Sequence, residues 1–449
     1  MGHSRRTTEF FSAATWLAIG CLATFVALGL GERLGWGREP QPNELLGEVQ
    51  DLIERHYVHG ATEDQLIDGA LHGMLGGLDD YSRYYDRDES AAFENETAGI
   101  YAGVGIRFTR GSELTEVLCA LPDSPAERAG IAPGDRVLRV DGLDAQAVEP
   151  TVLRERLANV ERRPVPVDLE SRDGTQRTVE LTPEQVTDPT VRHTVFLEDT
   201  EGLAYLHVRG FSRRTSAEFD AAVAALRERD LRGLVLDLRG NLGGVLDSAL
   251  EIADRFLEEG VLLQVESRDG IEEHRAQRPE TWLAGMPLVV LVDGESASAS
   301  EVLAGALQDH RAAVLVGERT YGKGTVQTLT RLPATSGILK LTTSLYRTPS
   351  GRRIERSLDT GRRHGLAPDV EVALDEDARY GLHVFHQGYT PAPDVADAIY
   401  LWERESGREL LPRPPRDAQL ALALELLAGR RPQLAADLDG AGQAAELPR

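Results

Sequence analysis

A multidomain α/β protein is what this sequence predicts, and three observations carry that reading. Across residues 200–350, apolar runs of strand length alternate with helix-spaced patterns, the mark of a layered α/β unit. Residues 99–185 instead hold short strands and closely spaced turn signals, a separate unit ahead of the first. Before both, from Pro42 to about Phe93, apolar residues recur at helix spacing. A chain of 449 residues has room for this arrangement and for a sizeable core.

The elements follow in order. Arg5 and Arg6 precede an apolar stretch from about Phe10 to Leu30, closed by Glu32. The stretch is long enough to span a bilayer, and the leading arginines orient its N-terminus inside. An uncleaved anchor is the favoured expectation. A signal peptide cut near Ala27-Leu28-Gly29 is the alternative. Either way the rest of the chain is exported. The Gly/Pro-rich linker that follows completes a first segment, residues 1–41. Leu45, Val49, Leu52 and Ile53, then Leu66, Ile67, Ala70, Leu71 and Met74, mark an N-terminal helical region over 42–98. Its second helix breaks at Leu78-Asp79-Asp80-Tyr81-Ser82. The unit 99–185 opens with Gly103-Val104-Gly105-Ile106 and continues through Pro125 to Gly130, Pro133-Gly134-Asp135 and Asp141-Gly142. In the core, 186–375, strands are expected at 233–238, 288–292, 313–316 and 338–343. A C-terminal extension, 376–449, carries Arg413-Pro414-Pro415-Arg416, a helix near 417–428 and a tail from 437 expected to be disordered.

Composition narrows the partners. A formal charge of −24 disfavours nucleic acid and anionic membrane surfaces. Cys21 and Cys119 are too few for a disulfide framework, and Cys21 lies inside the apolar N-terminal stretch. Lysine occurs only at 323 and 340; every other basic side chain apart from histidine is arginine. Arginine serves solubility and ion pairing but does not give up its proton, so a lysine retained against this bias is a candidate base.

Strand 288–292 runs into Ser296-Ala297-Ser298-Ala299-Ser300-Glu301 and then a helical pattern. A hydroxyl at such a junction sits by unpaired helix N–H groups and the positive dipole end, which favour an oxyanion. Capping the helix is the plainer role for these serines. A serine nucleophile also needs a base. His310 follows the helix beside Asp309, but no histidine-triad motif surrounds it. Lys323, in Tyr321-Gly322-Lys323-Gly324-Thr325-Val326-Gln327, is flanked by glycines that permit close approach. Desolvation must bring its pKa down toward neutrality if it is to act as a base.

These segments, with Leu234 to Gly244, Lys340-Leu341-Thr342-Thr343, Thr348-Pro349-Ser350-Gly351 and Gly365 to Val370, resemble the carboxy-terminal processing (tail-specific) serine proteases. The resemblance extends over about 65–370, with a fainter echo at Asp417-Ala418-Gln419-Leu420. It implies a PDZ domain at 99–185, inserted between the helical region and an enoyl-CoA-hydratase-like or ClpP-like protease core. It implies a serine endopeptidase with no cofactor and no metal, acting on proteins with accessible C-terminal tails. By the same resemblance Ser298 is the nucleophile and Lys323, 25 residues later, the base. Gln327 orients the amine, and Asp309 supports the site. Ala299 with Gly243 or Gly244 supplies the oxyanion hole. Gly103, Val104, Gly105 and Ile106 would receive a peptide's terminal carboxylate.

The chain departs from the family pattern in places: Leu242 stands where proline is common, and the 78–82 turn lacks proline. Two rival functions remain. A silent PDZ scaffold with a pseudoprotease core would not need Ser298, Lys323 and Gln327. A different α/β enzyme would have no use for the PDZ unit. Oligomerisation is left open. The expected location is a bacterial periplasm, anchored in the inner membrane or free if the N-terminal stretch is removed.

Overall fold

Residues 41–429 and Trp16 are described by a computed structural model, except 111–114, 159–162, 198–199, 278–281, 356–363, 388–392 and 408–415; at 109–110, 387 and 393–398 the backbone alone is described. The Phe10 to Leu30 stretch, Cys21, most of the linker and the tail from 437 lie outside the described residues. Among the described residues no helix is long and apolar enough to cross a membrane.

The chain divides into two bodies, at Leu78 and Asp79. The first holds helices Pro42–His56 and Glu63–Gly76. Proline opens the former, where its missing N–H costs nothing. Thr62 caps the latter, and Gln65 reciprocates.

Inside 42–98, read from sequence as helical, Arg83–Tyr85 is instead a strand paired antiparallel to Gly337–Arg347. Tyr84 is only 1% exposed there, so one buried ring fixes a strand too short to show periodicity. Helix Arg87–Ala98 follows, capped by Asp86 and ended by left-handed Gly99.

The next unit packs around Val117, Val137, Val140, Leu153, Val165, Val167 and Leu169. Its sheet runs Ile106–Arg110, Thr115–Ala120, Arg136–Val140, Val165–Glu170, Gln176–Leu181, all antiparallel. Strand Ile100–Gly103 pairs with Glu184–Thr187 and closes the unit at its base.

The core is built on a six-stranded sheet in the order Val191–Phe196, Leu203–Val208, Gly233–Asp237, Leu288–Val292, Val314–Gly317, Val370–Glu371. All pairs but the first are parallel. Strand Leu288–Val292 is buried along its length, as a parallel strand covered on both faces must be. Helices Thr215–Arg227, Leu246–Phe256 and Ala299–Asp309 cover one face. Helices Glu376–Gln387 and Ala418–Leu427 cover the other, through Leu382, Phe385, Leu420 and Ala423. A second sheet carries Gly337–Arg347 at its centre, flanked by Arg83–Tyr85, Val261–Ser267 and Thr325–Leu332.

Under helix Glu376–Gln387 lies a buried group of rings. His207 and His386 stack at 3.9 Å, and His193 stacks on Phe385 at 4.2 Å. Burial first, then the neighbouring His386, pushes His193 down to about 3 and His207 well below its ordinary value. Both are therefore neutral in the fold, while in the unfolded chain they take a proton below about pH 6.5. The unfolded state binds more protons there, so stability must fall with falling pH. The slope is about 1.4 kcal/mol per pH unit for each ring, beginning near pH 6.5 and lasting, for His193, down to about pH 3. Thermal unfolding should show a midpoint that drops from pH 7 to pH 5. A His193→Phe variant should lose about half of that pH dependence; an unchanged slope would refute this account.

Candidate active site

Strand Leu288–Val292 delivers the chain to a tight turn, Asp293 to Ala297, and helix Ala299–Asp309 leaves from it. Ser298 sits at the junction with φ +56° and ψ −115°, a conformation that non-glycine residues hold only when their surroundings force it. The force is visible. Ser296 Oγ donates to the Leu238 carbonyl at 2.8 Å, and Ser300 Oγ donates to the Asn241 carbonyl at 2.9 Å. Ala297 N–H also reaches the Asn241 carbonyl, at 3.0 Å. The two outer serines of the Ser-Ala-Ser-Ala-Ser run thus stitch the turn to the glycine-rich exit of Gly233–Asp237. The middle one keeps its hydroxyl. Ser298 is 9% exposed, and its hydroxyl meets the Tyr346 phenol, which burial pushes up to about 12.

The glycine loop lies against this turn. Gly243 has φ +102°, and a Cβ there would stand 2.8 Å from Ser298 Cβ and 3.1 Å from Ala299 N. Gly244 has φ +141°, and its Cβ would fall 2.0 Å from the Phe211 carbonyl oxygen. A side chain at Gly243 would have to push the Ser298 turn aside, and one at Gly244 would strike the Phe211 backbone. The Gly243 N–H donates to Asn241 Oδ1 at 2.9 Å, while Asn241 Nδ2 donates to the Val208 carbonyl at 2.7 Å. Among the described residues the N–H groups of Ala299 and Gly244 have no acceptor.

Glu301, one turn into the helix and fully buried, joins the two halves of the site. Its Oε2 accepts the N–H of Ser298 at 3.0 Å and the N–H of Lys323 at 2.8 Å. Its Oε1 accepts from Gly322 N–H at 2.8 Å and Thr320 Oγ1 at 2.5 Å. Burial raises its pKa, and these four donors pull it back. One carboxylate oxygen therefore ties the backbone of residue 298 to that of residue 323.

The Lys323 amine stands over the Tyr81 ring, 4.6 Å from its centroid, and makes no hydrogen bond to Ser298 Oγ in this conformation. It is half-buried. Desolvation lowers its pKa, the nearby charge of Lys340 lowers it further, and Glu301 opposes both. Tyr81 is held by the 79–82 turn: Asp79 Oδ1 accepts the N–H groups of Tyr81 and Ser82, both at 2.7 Å, and Ser82 Oγ accepts from Thr342 N–H at 3.1 Å.

Two other sequence candidates lie elsewhere. Gln327 is on strand Thr325–Leu332, and its amide donates to Thr325 Oγ1 at 2.8 Å and Thr342 Oγ1 at 3.4 Å rather than engaging Lys323. Asp309 ends the helix that Ser298 caps, about 16 Å away by helical rise. There it pairs with Arg352 and accepts the Ser350 N–H at 2.8 Å, so it anchors the 348–352 turn. His310 donates its ring to that end too, bonding the Val261 carbonyl at 2.7 Å. Glu301 was quoted in the motif but given no role. Its spacing from Ser298 was the available signal.

In the β-rich unit, the loop after Gly103 uses its carbonyls internally. Leu121 N–H bonds Gly105 O at 2.8 Å and Ala126 N–H bonds Val104 O at 3.0 Å. The N–H groups of Val104 and Gly105 have no acceptor among the described residues. Gly105 has φ +78°, and a Cβ there would collide with Ser124 at 2.2 Å. Ile106 follows as the first residue of the strand Ile106–Arg110, 9% exposed.

Comparison with known proteins agrees with this division. Residues 202–372 match peptidase family S41, 116–169 match a PDZ domain, and 39–89 match the activating protease CtpB N-terminal domain. A carboxy-terminal-processing protease of Bartonella bacilliformis is 30% identical over 440 residues, covering 94% of this chain and 96% of its own. A carboxyl-terminal-processing protease of Picosynechococcus is 34% identical over 325 residues, covering 72% and 76%. Among solved structures, a photosystem II D1 C-terminal processing protease matches at 30% identity, covering 73% of this chain and 86% of that one, with a TM-score of 0.43.

Proposed function

The chain belongs to the PDZ-containing C-terminal processing proteases of peptidase family S41, and from that premise we propose that it cleaves exported proteins near their C-termini with a Ser298/Lys323 dyad. The observation that carries the reading is the shared Glu301 oxygen, which brings together the backbones of a nucleophile and a base 25 residues apart. The amine leaves the Tyr81 ring, takes the Ser298 proton, and the alkoxide adds to the scissile carbonyl. The oxyanion is received by the free N–H groups of Ala299 and Gly244, at the positive end of the helix. The protonated amine then supplies the leaving nitrogen, and water releases the acyl group by the same base. Gln327 acts at one remove, fixing the strand beside the lysine, and Asp309 fixes the far end of the helix.

The PDZ unit selects the substrate tail. A terminal carboxylate docks on the free amides of Val104 and Gly105, with the peptide added beside Ile106–Arg110. In this reading the protein works in the periplasm, held by the apolar Phe10 to Leu30 stretch or released from it.

Purified protein and a fluorogenic peptide with a free C-terminal carboxylate test this. Ser298→Ala should show no turnover, and amidating the peptide's C-terminus should raise KM. The base works only when neutral, so the rate should climb with pH through the lysine's lowered pKa, below the ordinary 10.5. Cleavage by Ser298→Ala at the normal rate would defeat the proposal.

A further inference from the structure

The strand Gly233–Asp237 exits into the glycine loop through Arg239, a guanidinium only 1% exposed. Its Nε donates to both oxygens of Asp237, each at 3.0 Å, and Nη2 donates to Asp237 Oδ2 at 2.5 Å. The remaining donors go to the far end of the chain. Nη2 reaches Asp417 Oδ2 at 2.7 Å, and Nη1 reaches Gln419 Oε1 at 2.8 Å. Asp417 is 4% exposed and Gln419 fully buried. Each is held in turn. Asp417 Oδ1 caps helix Ala418–Leu427 by accepting the N–H groups of Gln419 and Leu420, both at 3.0 Å. Gln419 Nε2 donates to the Val372 carbonyl at 2.6 Å.

We propose that Asp417 and Gln419 are positioning residues for the oxyanion side of the active site, acting through Arg239. The proposal rests on the protease reading and goes beyond it. Neither residue touches the site. Both, however, complete the anchor from which the loop Gly240 to Gly244 is hung. The Arg239 N–H bonds Asp237 Oδ1 at 2.9 Å, Gly240 N–H bonds Asp293 at 3.1 Å, and Asn241 then links Val208, Ala297 and Gly243. Gly243 lies against Ser298 and Ala299. An error in the angle at which Arg239 leaves the strand is passed to Gly244, whose N–H must meet a developing charge.

A buried guanidinium tolerates one missing partner badly, because water does not reach it to compensate. Removing Asp417 leaves Nη2 pulled by Asp237 alone, and the exit turn shifts toward that side. The consequence is specific: a misplaced oxyanion donor weakens the transition state and not the bound substrate, so kcat falls and KM does not.

The test uses the whole chain with Asp417→Asn, which keeps one capping oxygen, and Asp417→Ala, which keeps none. Amide hydrogen exchange is followed at Gly240, Asn241 and Gly243, with strand Leu288–Val292 as the internal reference. Expected are faster exchange confined to the loop, a kcat at least about tenfold lower for Asp417→Asn, and a KM within about twofold of the parent. Gln419→Leu should reproduce the pattern. Loop exchange unchanged in both folded variants would overturn the proposal. So would a kcat loss that merely tracks the folded fraction. If the parent cleaves no peptide, the protease reading fails alone, and the exchange comparison still decides whether residue 417 controls the loop. Should Asp417→Ala fail to fold, the asparagine and leucine variants carry the decision.

Discussion

Replacing Lys323 with arginine is expected to lower kcat by about 10³-fold or more, with the protein as stable as the parent. The substitution is chosen because it keeps nearly everything else. The positive charge stays, and arginine stacks on an aromatic face at least as readily as lysine, so the perch on Tyr81 survives. The N–H of residue 323 still bonds Glu301, because that bond is made by the backbone. Gly322 and Gly324 keep their close approaches to His364 and Glu355. What disappears is the ability to be neutral: guanidinium does not give up its proton near physiological pH, so it does not accept one from Ser298. Steady-state rates on a fluorogenic peptide, with a thermal midpoint for each protein, measure the effect. Substantial turnover by the arginine variant would show that some other group takes the proton.

Much of this site was legible because its chemistry is local in sequence. A strand, a serine run and a helix place a hydroxyl at a helix N-terminus, and a lysine between glycines in a chain nearly free of lysine stands out. What stayed hidden was the role of residues whose partners are remote. The Ser298 to Glu301 spacing is that of a capping box, which accounts for a glutamate without sending it anywhere. Nothing in a linear pattern says that the same carboxylate also receives three donors from residues 320–323. The Arg239 anchor is longer-ranged still, since its partners follow by about 180 residues. Strand Arg83–Tyr85 escaped for a different reason. Three residues carry no period, and their place comes from the Gly337–Arg347 strand they pair with. Gln327 owes its expected role to resemblance alone, and in the strand Thr325–Leu332 its amide bonds threonine hydroxyls.

The second large effect is expected at a residue with no side chain. Gly243→Ala should reduce kcat by about 10²- to 10³-fold, a loss typical of an oxyanion donor put out of action. At φ +102° the alanine is strained, which alone would cost about 1–2 kcal/mol. More important is where the methyl goes. It would stand 2.8 Å from the Ala297 carbonyl oxygen, 2.8 Å from Ser298 Cβ and 3.1 Å from the nitrogen of Ala299. In the proposed mechanism the last of these is the donor that receives the tetrahedral oxygen, so the methyl would crowd the space beside it. Gly244→Ala would be a poor substitute, since its methyl at 2.0 Å from the Phe211 carbonyl oxygen strikes backbone and threatens the fold itself. Gly243 is only half-buried, and the contacts its methyl would make are looser than those at Gly244, so a small shift of the loop relieves them. On the proposed reading the variant should therefore fold, bind the peptide tail at the Val104 and Gly105 amides as the parent does, and fail at acylation. Tail binding measured by anisotropy, beside kcat from initial rates, separates these outcomes. A folded Gly243→Ala protein with parental kcat would mean that the space between Gly243 and Ala299 is not where the charge develops.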